Sequence, residues 1–170
     1  MTIFRANPAA GTVSAFGETH PASFGKGGYC AAASKREGDG KTPLGLWPIR
    51  AALIRPDRLP APHTRLPWRF LRACDGWSDG GADPSYNRLV FAPHPHSHEP
   101  LWREDGAYDI ILVLAHNDSP PVPGLGSAIF WHCRQPDARP TEGCAAMERG
   151  VLARWLDAMA PGDALEIAAA

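Results

Sequence analysis

The sequence predicts a mostly β domain with a mixed sheet and one main helix near the C-terminus. Eighteen prolines and seventeen glycines are spread along the 170 residues, which suits short strands joined by turns better than a helical bundle. The run Tyr108–Ala115 is apolar apart from Asp109 and rich in Ile, Leu and Val. Such a run predicts a central strand that is buried on both faces.

The other predicted strands are shorter, and each is bounded by Gly, Pro or Asp. In chain order the predicted strands are 11–17, 26–34, 44–55, 88–92, Tyr108–Ala115, Ser127–Cys133 and a closing strand near Leu165–Ile167. Successive side chains of a strand point to opposite faces. If His132 faces a cleft together with Phe130, then Trp131 and Cys133 point the other way, and Cys133 belongs to the core.

The predicted helix covers Glu148–Met159 and stops at Pro161-Gly162. Its apolar residues fall on one face at helical spacing. Segments 56–86 and 93–106 are polar, proline-rich and irregular, so we interpret them as loop insertions over the sheet. A chain of this length is most simply one domain, residues 1–170.

Charge and hydropathy exclude two classes of partner. Seventeen Lys and Arg against eighteen Asp and Glu give a net charge of −1, without a basic stripe, so we expect no nucleic acid. The longest apolar run, Ile110–Ala115, is far shorter than the roughly 20 residues that span a bilayer, and the first residues lack the apolar core of a secretory signal. We therefore expect no membrane insertion.

Of the four cysteines, Cys144 is the candidate nucleophile, and His132 is its candidate base. A thiol reacts as the thiolate, so it needs a base within reach and donors for the oxyanion that forms at an attacked carbonyl. His132 ends a predicted apolar strand, and Gly143 lets the backbone approach a substrate, so that the amides of Gly143 and Cys144 are candidate oxyanion donors. The alternative is a buried free cysteine beside an ordinary strand-end histidine.

Two other motifs carry weaker signals. The run His94-Pro-His96-Ser-His98 suggests a metal site, but a solvent-exposed loop explains it better, and we expect no metal. The segment Lys35–Lys41 lacks the spacing of a phosphate-binding loop or a calcium loop, and we interpret it as a turn before the next strand.

Four blocks in order resemble the L,D-transpeptidase (YkuD-type) catalytic domain, over about residues 25–168. They are K-R-E-G-D-G-K-T-P-L-G at 35–45, Y-D-I-I-L-V-L-A-H-N at 108–117, G-S-A-I-F-W-H at 126–132 and T-E-G-C at 141–144. The resemblance implies a mixed β-sandwich or barrel. It also implies that Cys144 is the nucleophile, that His132 is its base, and that Gly143 belongs to the oxyanion hole.

Two departures indicate a divergent branch. Glu142 stands where the family commonly has histidine, and the loop between the catalytic residues is a few residues shorter than usual. A carboxylate beside the thiol raises the thiol pKa unless it points away or binds an amine of the substrate.

The resemblance implies action on meso-diaminopimelate-containing peptidoglycan stem peptides, through a thioester and an amine acceptor, without metal or organic cofactor. It also implies a periplasmic or cell-envelope location. The alternatives are a thiol L,D-carboxypeptidase or amidase and a non-catalytic cell-wall binding module. Candidate substrate-binding residues are Arg139, Tyr86, Asn87, His116, Asn117, Trp131 and Glu142. Arg139 is the strongest of them because it lies close to Cys144 and can pair with a carboxylate.

Overall fold

The computed structural model describes residues 1–169, and most of its regular structure is β-strand. The elements in chain order are β1 Ile3–Asn7, β2 Thr12–Ala15, β3 Glu18–Ser23, β4 Tyr29–Ala31, a 3-10 turn Ala32–Ser34, β5 Thr42–Ile54, β6 Trp68–Phe70, β7 Asp75–Ser78, β8 Leu89–Phe91, β9 His98–Pro100, β10 Ile110–Leu114, β11 Phe130–Cys133, β12 Ala145–Met147, α1 Arg149–Ala158 and β13 Ala164–Ile167. The prediction of a mostly β domain with one main helix is confirmed. No helix within residues 1–169 is long and apolar enough to cross a membrane.

The main sheet closes on itself through the long strand β5. Its first half pairs with β13 at Gly45–Pro48, and its second half pairs with β10 at Ile49–Ile54. From β10 the sheet continues through β11, β12, β3, β2 and β1 to β13, while β4 and β6 pair with β5 beside this ring. The pairs β1–β13 and β11–β12 are parallel, and the other pairs of the ring are antiparallel, so the sheet is mixed as predicted.

Strand β10 is buried on both faces, as its apolar run predicts. Ile110, Leu112 and Leu114 belong to the main core. Every strand of the ring contributes residues to this core. Ile111 belongs to a second apolar cluster, which we call the site cluster because it contains Cys144 and Phe130. Each fully buried aliphatic side chain of this size stabilises the fold by about 1.5–3 kcal/mol.

Helix α1 packs its apolar face on the main core. The Glu148 carboxylate caps the helix by accepting hydrogen bonds from the amides of Gly150 and Val151 at 2.8 and 2.7 Å. Trp155 packs edge-on against Trp131, with ring centroids 6.2 Å apart. The helix ends at Ala158, so the predicted helix is confirmed to within one residue at each end.

The segments predicted as irregular loops contain strands. Residues 56–106, which we call the insertion, hold β6, which pairs with β5, and a separate three-stranded sheet in the order β8-β7-β9. Trp77 and Leu101 of this sheet region pack into the site cluster beside Cys144. Strand β8 agrees with the strand predicted at 88–92. The prediction of irregular structure for 56–86 and 93–106 is wrong because β6, β7 and β9 have three or four residues, too few to show an alternating pattern.

Three further strands escaped the prediction, and one predicted strand is shorter than expected. β1 is Ile-Phe-Arg-Ala-Asn and has only five residues, and β3 is polar and interrupted by Pro21. β12 is Ala-Ala-Met, which lacks β-branched residues. In segment 26–34 only Tyr29–Ala31 is a strand, and Ala32–Ser34 forms a 3-10 turn. Tertiary pairing, not local propensity, therefore determines these elements.

Candidate active site

One cavity of ≈ 550 Å³ brings together Cys144 and His132. Its wall is formed by the ends of β11 and β12, by the turn that contains Lys35, and by Glu99 and Arg103 of the insertion. The cavity therefore lies where the closed ring of strands meets the second sheet.

Parallel pairing brings the two candidate catalytic side chains to the same face of the sheet. Trp131 of β11 lies opposite Ala145 of β12, and His132 lies opposite Ala146. Because faces alternate along a strand, Cys144, two residues before Ala146, points to the same side as Ala146 and His132. Trp131 and Ala145 point into the main core instead. The predicted alternation along β11 is confirmed, with the face of His132 toward the cavity.

The Cys144 thiol is buried and hydrogen-bonded to the backbone. The residue is 7% exposed. Its Sγ donates to the Ala128 carbonyl at 3.2 Å and accepts from the Phe130 amide at 3.3 Å. Burial raises the pKa of Cys144 to about 12, although the Phe130 amide acts in the opposite direction. At neutral pH the side chain is therefore the thiol.

His132 is neutral and has one ring nitrogen available as a base. Its Nδ1 lies 2.9 Å from the Cys133 carbonyl oxygen. A carbonyl only accepts, so we assign the ring proton to Nδ1 and the lone pair to Nε2. Burial lowers the pKa of His132 to about 4. Within residues 1–169 His132 and Cys144 form no hydrogen bond with each other, but they share the cavity.

Aromatic packing fixes the plane of the His132 ring. The Tyr108 ring meets it edge-on, with centroids 5.2 Å apart and an interplanar angle of 82°. The Tyr108 hydroxyl donates to the Glu99 carboxylate at 2.6 Å. Burial, followed by the negative charge of Glu99, raises the pKa of Tyr108 well above its ordinary value. Tyr108 is therefore a neutral donor that links the insertion to the catalytic face.

Gly143 is required by the backbone geometry before Cys144. Its φ is +135°, and a Cβ at this position would lie 2.7 Å from the Lys41 carbonyl oxygen. The Gly143 amide donates to Thr141 Oγ1 at 3.1 Å, and Thr141 Oγ1 donates to the Cys144 carbonyl at 2.7 Å. In this conformation the Gly143 amide is thus used within the loop, which differs from its expected use as an oxyanion donor.

Glu142 and Arg139 lie at the exposed rim of the cavity. The Glu142 side chain is 74% exposed, and its carboxylate accepts from Lys26 Nζ at 2.7 Å. The Arg139 guanidinium lies 3.7 Å from the carboxylates of Asp105 and Asp137. These two side chains therefore lie at the solvent-facing edge of the cavity, and Glu142 already has a cationic partner.

Trp131 is the clearest correction among the predicted substrate-binding residues. It is fully buried, and its ring packs against Phe4 in the main core, with centroids 5.2 Å apart. The expectation that it contacts substrate is wrong, because strand alternation points it away from His132.

The other four candidates do not line the cavity but form contacts with residues and loops around it. They are Tyr86, Asn87, His116 and Asn117. The Tyr86 hydroxyl donates to the Glu37 carboxylate. Asn87 accepts from Trp77 Nε1 at 2.8 Å and donates to the Asn117 carbonyl at 2.7 Å. Asn117 itself donates to the Val122 and Gly126 carbonyls at 2.9 Å each, and it thereby closes its own loop.

His116 packs edge-on against Trp47, with centroids 5.0 Å apart, and burial lowers its pKa to about 4. It is therefore a neutral, buried support of the same loop.

Several cavity residues were not predicted. They are Lys35, Glu37, Asp79, Glu99, Arg103, Tyr108 and Ser127. Lys35, Glu37, Tyr108 and Ser127 stand inside the blocks on which the family resemblance rests, so a signal for them existed. Asp79, Glu99 and Arg103 stand in the insertion, where no sequence pattern marks them.

The histidine run does not form a metal site. His94 Nε2 lies 2.6 Å from a carboxylate oxygen of Asp83, which is itself held by the Ser78 hydroxyl. In the part of the chain that the structure describes, no group of three or more His, Cys, Asp or Glu is arranged to hold a metal, and the four cysteines are free.

Comparisons with known proteins agree with this architecture. The family model for YkuD, the L,D-transpeptidase catalytic domain, matches residues 14–167. No curated protein matches the chain.

Similar solved structures come from mycobacteria. L,D-transpeptidase 1 from Mycobacterium tuberculosis is 20% identical, with 98% of this chain and 58% of that chain covered and a TM-score of 0.42. An L,D-transpeptidase from Mycobacterium smegmatis is 17% identical, with 99% and 58% covered and a TM-score of 0.45. L,D-transpeptidase 3 from M. tuberculosis is 13% identical, with 98% and 60% covered and a TM-score of 0.47. The chain thus spans 58–60% of the length of these structures.

Proposed function

Because the chain belongs to the YkuD family of L,D-transpeptidase catalytic domains, we propose that it is a cysteine L,D-transpeptidase. Its substrates are peptidoglycan stem peptides that contain meso-diaminopimelate, and it works in the periplasm or cell envelope. The observation that carries the proposal is that Cys144 and His132 share one face of the β11–β12 pair and one cavity.

The first half-reaction is acylation of Cys144. Sγ attacks a diaminopimelate carbonyl while His132 Nε2 takes the thiol proton, and the carbonyl oxygen becomes an oxyanion. The amide of Cys144 is the oxyanion donor of choice, since the Gly143 amide bonds to Thr141. When the intermediate collapses, the C–N bond breaks, the terminal D-residue leaves with the proton from His132, and a thioester remains.

The second half-reaction transfers the acyl group to an amine. A neutral amine of another stem attacks the thioester and passes a proton to His132. The new C–N bond forms as the C–S bond breaks, and the released thiolate recovers the proton from the imidazolium. Water in place of the amine gives the shortened stem, which is the carboxypeptidase product.

The protonation states of Cys144 and His132 favour coupled proton transfer over a stable ion pair. Burial raises the pKa of Cys144 and lowers that of His132, so a separated thiolate and imidazolium is unfavourable before substrate arrives. We therefore propose that the thiol loses its proton to Nε2 during the attack on the carbonyl. Neutral His132 is the form that this step needs.

The proposal is tested by incubating purified muropeptide monomers with the protein and with Cys144→Ala, followed by mass spectrometry. We expect cross-linked dimers with the unaltered protein and none with the variant. Shortened monomers without dimers would replace the transferase by the hydrolase. Unchanged monomers in both samples would contradict an enzyme that acts on these stems and would favour the binding module.

A further inference from the structure

Three carboxylates line the cavity on the side of the insertion: Glu37, Asp79 and Glu99, which we call the acidic wall. They are close enough to act on one another. Burial, together with the charges of Asp79 and Glu37, raises the pKa of Glu99 above its ordinary value. The charges of Asp79 and Glu37 therefore repel that of Glu99, and a bound cation would reduce this repulsion.

The cations already present do not neutralise the wall. Arg103 Nη1 lies 3.6 Å from Glu99 Oε1, but the same guanidinium also donates to Asp105, from Nε at 3.1 Å. The Lys35 ammonium, which also lines the cavity, is engaged by Asp39 and by the Arg36 carbonyl at 3.1 Å. Each nearby cation is thus shared with a carboxylate or a carbonyl outside the wall.

Unused hydrogen-bonding groups lie beside the wall. Ser127 lines the cavity and is 7% exposed, and its Oγ, which lies near the Tyr86 hydroxyl, makes no hydrogen bond of ordinary length among the described residues. Asp79 Oδ1 is also buried and without a partner in residues 1–169. A buried polar atom that stays unpaired costs about as much as a lost hydrogen bond, so such atoms indicate where a ligand supplies the missing partner.

We infer that the acidic wall binds the ammonium group of the amine acceptor, with Glu99 as the main contact and Asp79 and Ser127 as further acceptors. This inference rests on the proposed function, since it assigns the acceptor end of the same cavity. An ammonium has three donors and no acceptor, which matches carboxylate and hydroxyl oxygens. Binding as the ammonium concentrates the acceptor beside the thioester. One proton then passes to the Glu99 carboxylate, which later releases it to solvent, and the neutral amine attacks.

The neighbouring guanidinium adds a preference among amines. Because Arg103 lies beside Glu99, an amine whose carbon also carries a carboxylate meets both charges at once. The amine of an amino-acid head is therefore a better acceptor than the same amine with its carboxyl group converted to an amide.

Glu142, the other carboxylate at the cavity, is a weaker candidate for the same role. Its side chain is 74% exposed and is paired with Lys26, whereas that of Glu99 is 29% exposed. An ion pair in a partly desolvated site is stronger and less screened by salt than one at an open rim. The acceptor therefore gains more from Glu99 than from Glu142.

The test separates acylation from transfer. The donor is a purified disaccharide-tetrapeptide, and the acceptor is a disaccharide-tripeptide that ends in meso-diaminopimelate. Thioester formation is followed by intact-protein mass, and dimer formation is followed against acceptor concentration. Glu99→Gln keeps an acceptor oxygen for the Tyr108 hydroxyl but removes the charge.

For Glu99→Gln we expect the acceptor KM to rise about tenfold or more and the ratio of hydrolysis to transfer to rise, both measured relative to the thioester that the same variant forms. Glu104→Gln is the matched control, since Glu104 lies in the same insertion but is 82% exposed and outside the cavity. Asp79→Asn is a second variant, with a smaller rise in acceptor KM, and it decides the matter if Glu99→Gln does not fold.

A pH profile distinguishes binding from mere support of the fold. The groups that act on Glu99 are Tyr108, Arg103, Asp79 and Glu37, and Cys144 also feels its charge. Between the ordinary glutamate pKa of 4.5 and neutral pH, we expect the acceptor KM to fall as Glu99 ionises. The Gln variant should lose this dependence of the acceptor KM on pH.

The outcomes separate the inference from the function on which it rests. If the unaltered protein forms dimers but neither Glu99→Gln nor Asp79→Asn raises the acceptor KM, the inference is overturned and the transpeptidase stands. A rise in Glu142→Gln alone would move acceptor binding to the rim. Absence of a thioester with the unaltered protein would overturn both.

Discussion

Burial sets the chemistry of Cys144 and His132 at the level of single residues. Each is 7% exposed, and in each the charged form is the one that loses hydration. The raised thiol pKa and the lowered imidazole pKa therefore have the same cause. The neutral thiol is a weak nucleophile toward alkylating reagents. In the proposed mechanism it reacts when a substrate aligns its carbonyl with Sγ.

This protonation state predicts the reactivity of Cys144 toward iodoacetamide. At about pH 8 we expect Cys144 in the folded protein to be labelled more than about 100-fold more slowly than in the urea-unfolded protein, because the thiolate fraction is small. Restricted access of the reagent, without a raised pKa, would slow labelling and leave the dependence of the rate on pH unchanged. The folded rate should therefore keep rising toward pH 12, after the unfolded rate has levelled off.

Peptide-resolved mass spectrometry measures both rates. Rapid labelling of folded Cys144 at neutral pH would contradict the neutral pair and would indicate a preformed thiolate. Unfolded protein serves as the control for the intrinsic rate at each pH.

The sequence was sufficient to predict the faces of β11 but not these pKa values. Period-two alternation separates His132 from Trp131 and Cys133, and the structure agrees. The degree of burial depends on Trp77 and Leu101, which reach the site cluster from the insertion. No local pattern around Cys144 contains that information.

At the level of elements, the start of α1 depends on one carboxylate. Glu148 accepts from two helix amides, and these hydrogen bonds lower its pKa. For Glu148→Ala we expect a loss of about 1 kcal/mol in the free energy of unfolding at neutral pH. Urea denaturation of both proteins measures the difference.

The same cap gives a pH dependence with a definite sign. A folded-state pKa below the unfolded value of 4.5 contributes stability that is present above pH 4.5 and is lost as the pH falls through the folded pKa. The difference between the unaltered protein and Glu148→Ala should shrink in that range. A constant difference across the acid range would contradict a charge-based cap.

The prediction succeeded for elements with a clear local sequence pattern. It failed for short strands that are defined by their pairing with distant segments. β10 is a continuous apolar run, and α1 is long enough to show the helical period, so their positions follow from sequence. β12 has only three residues and is a strand because β11 and β3 flank it. β12, which directly follows Cys144, was thus among the strands that local sequence could not reveal.

At the level of the whole molecule, a buried ion-pair network joins the insertion, β10 and α1. Asp109, just before β10, is 2% exposed and pairs with Arg58 of the insertion at 2.9 Å and with Arg149 of α1 at 2.8 Å. Arg149 is half-exposed, so water can hydrate it when the pair is lost. The cost of losing Asp109 is therefore smaller than that of leaving a charge fully buried.

We expect Asp109→Asn to lower the free energy of unfolding by about 1–3 kcal/mol. Glu166→Gln is the control, because its pair with Arg5 at 3.3 Å is exposed on both sides, and its effect should stay within about 0.5 kcal/mol. Equal effects of the two substitutions in urea denaturation would contradict a structural role for the buried network.

The cavity as a whole could be predicted only in part. Cys144, His132 and Glu142 follow from the four short blocks, and Arg139 follows from its closeness to Cys144 in sequence. Glu99, Asp79 and Arg103 reach the cavity through the fold of the insertion. Side chains that are distant in sequence and have no periodic pattern meet only after the second sheet docks beside β11. Recognition of the family therefore identifies the candidate catalytic pair, whereas the other residues of the cavity are found only in the structure.

The cysteine mechanism requires a thioester at Cys144. Intact-protein mass spectrometry with a disaccharide-tetrapeptide donor, followed by peptide mapping, measures it, with Cys144→Ala as the test variant and the exposed Cys74→Ala as the control. We predict one added acyl group, located on Cys144, in the unaltered protein and in Cys74→Ala, and none in Cys144→Ala. An adduct that persists in Cys144→Ala, or cross-linking without any adduct, would contradict the cysteine mechanism.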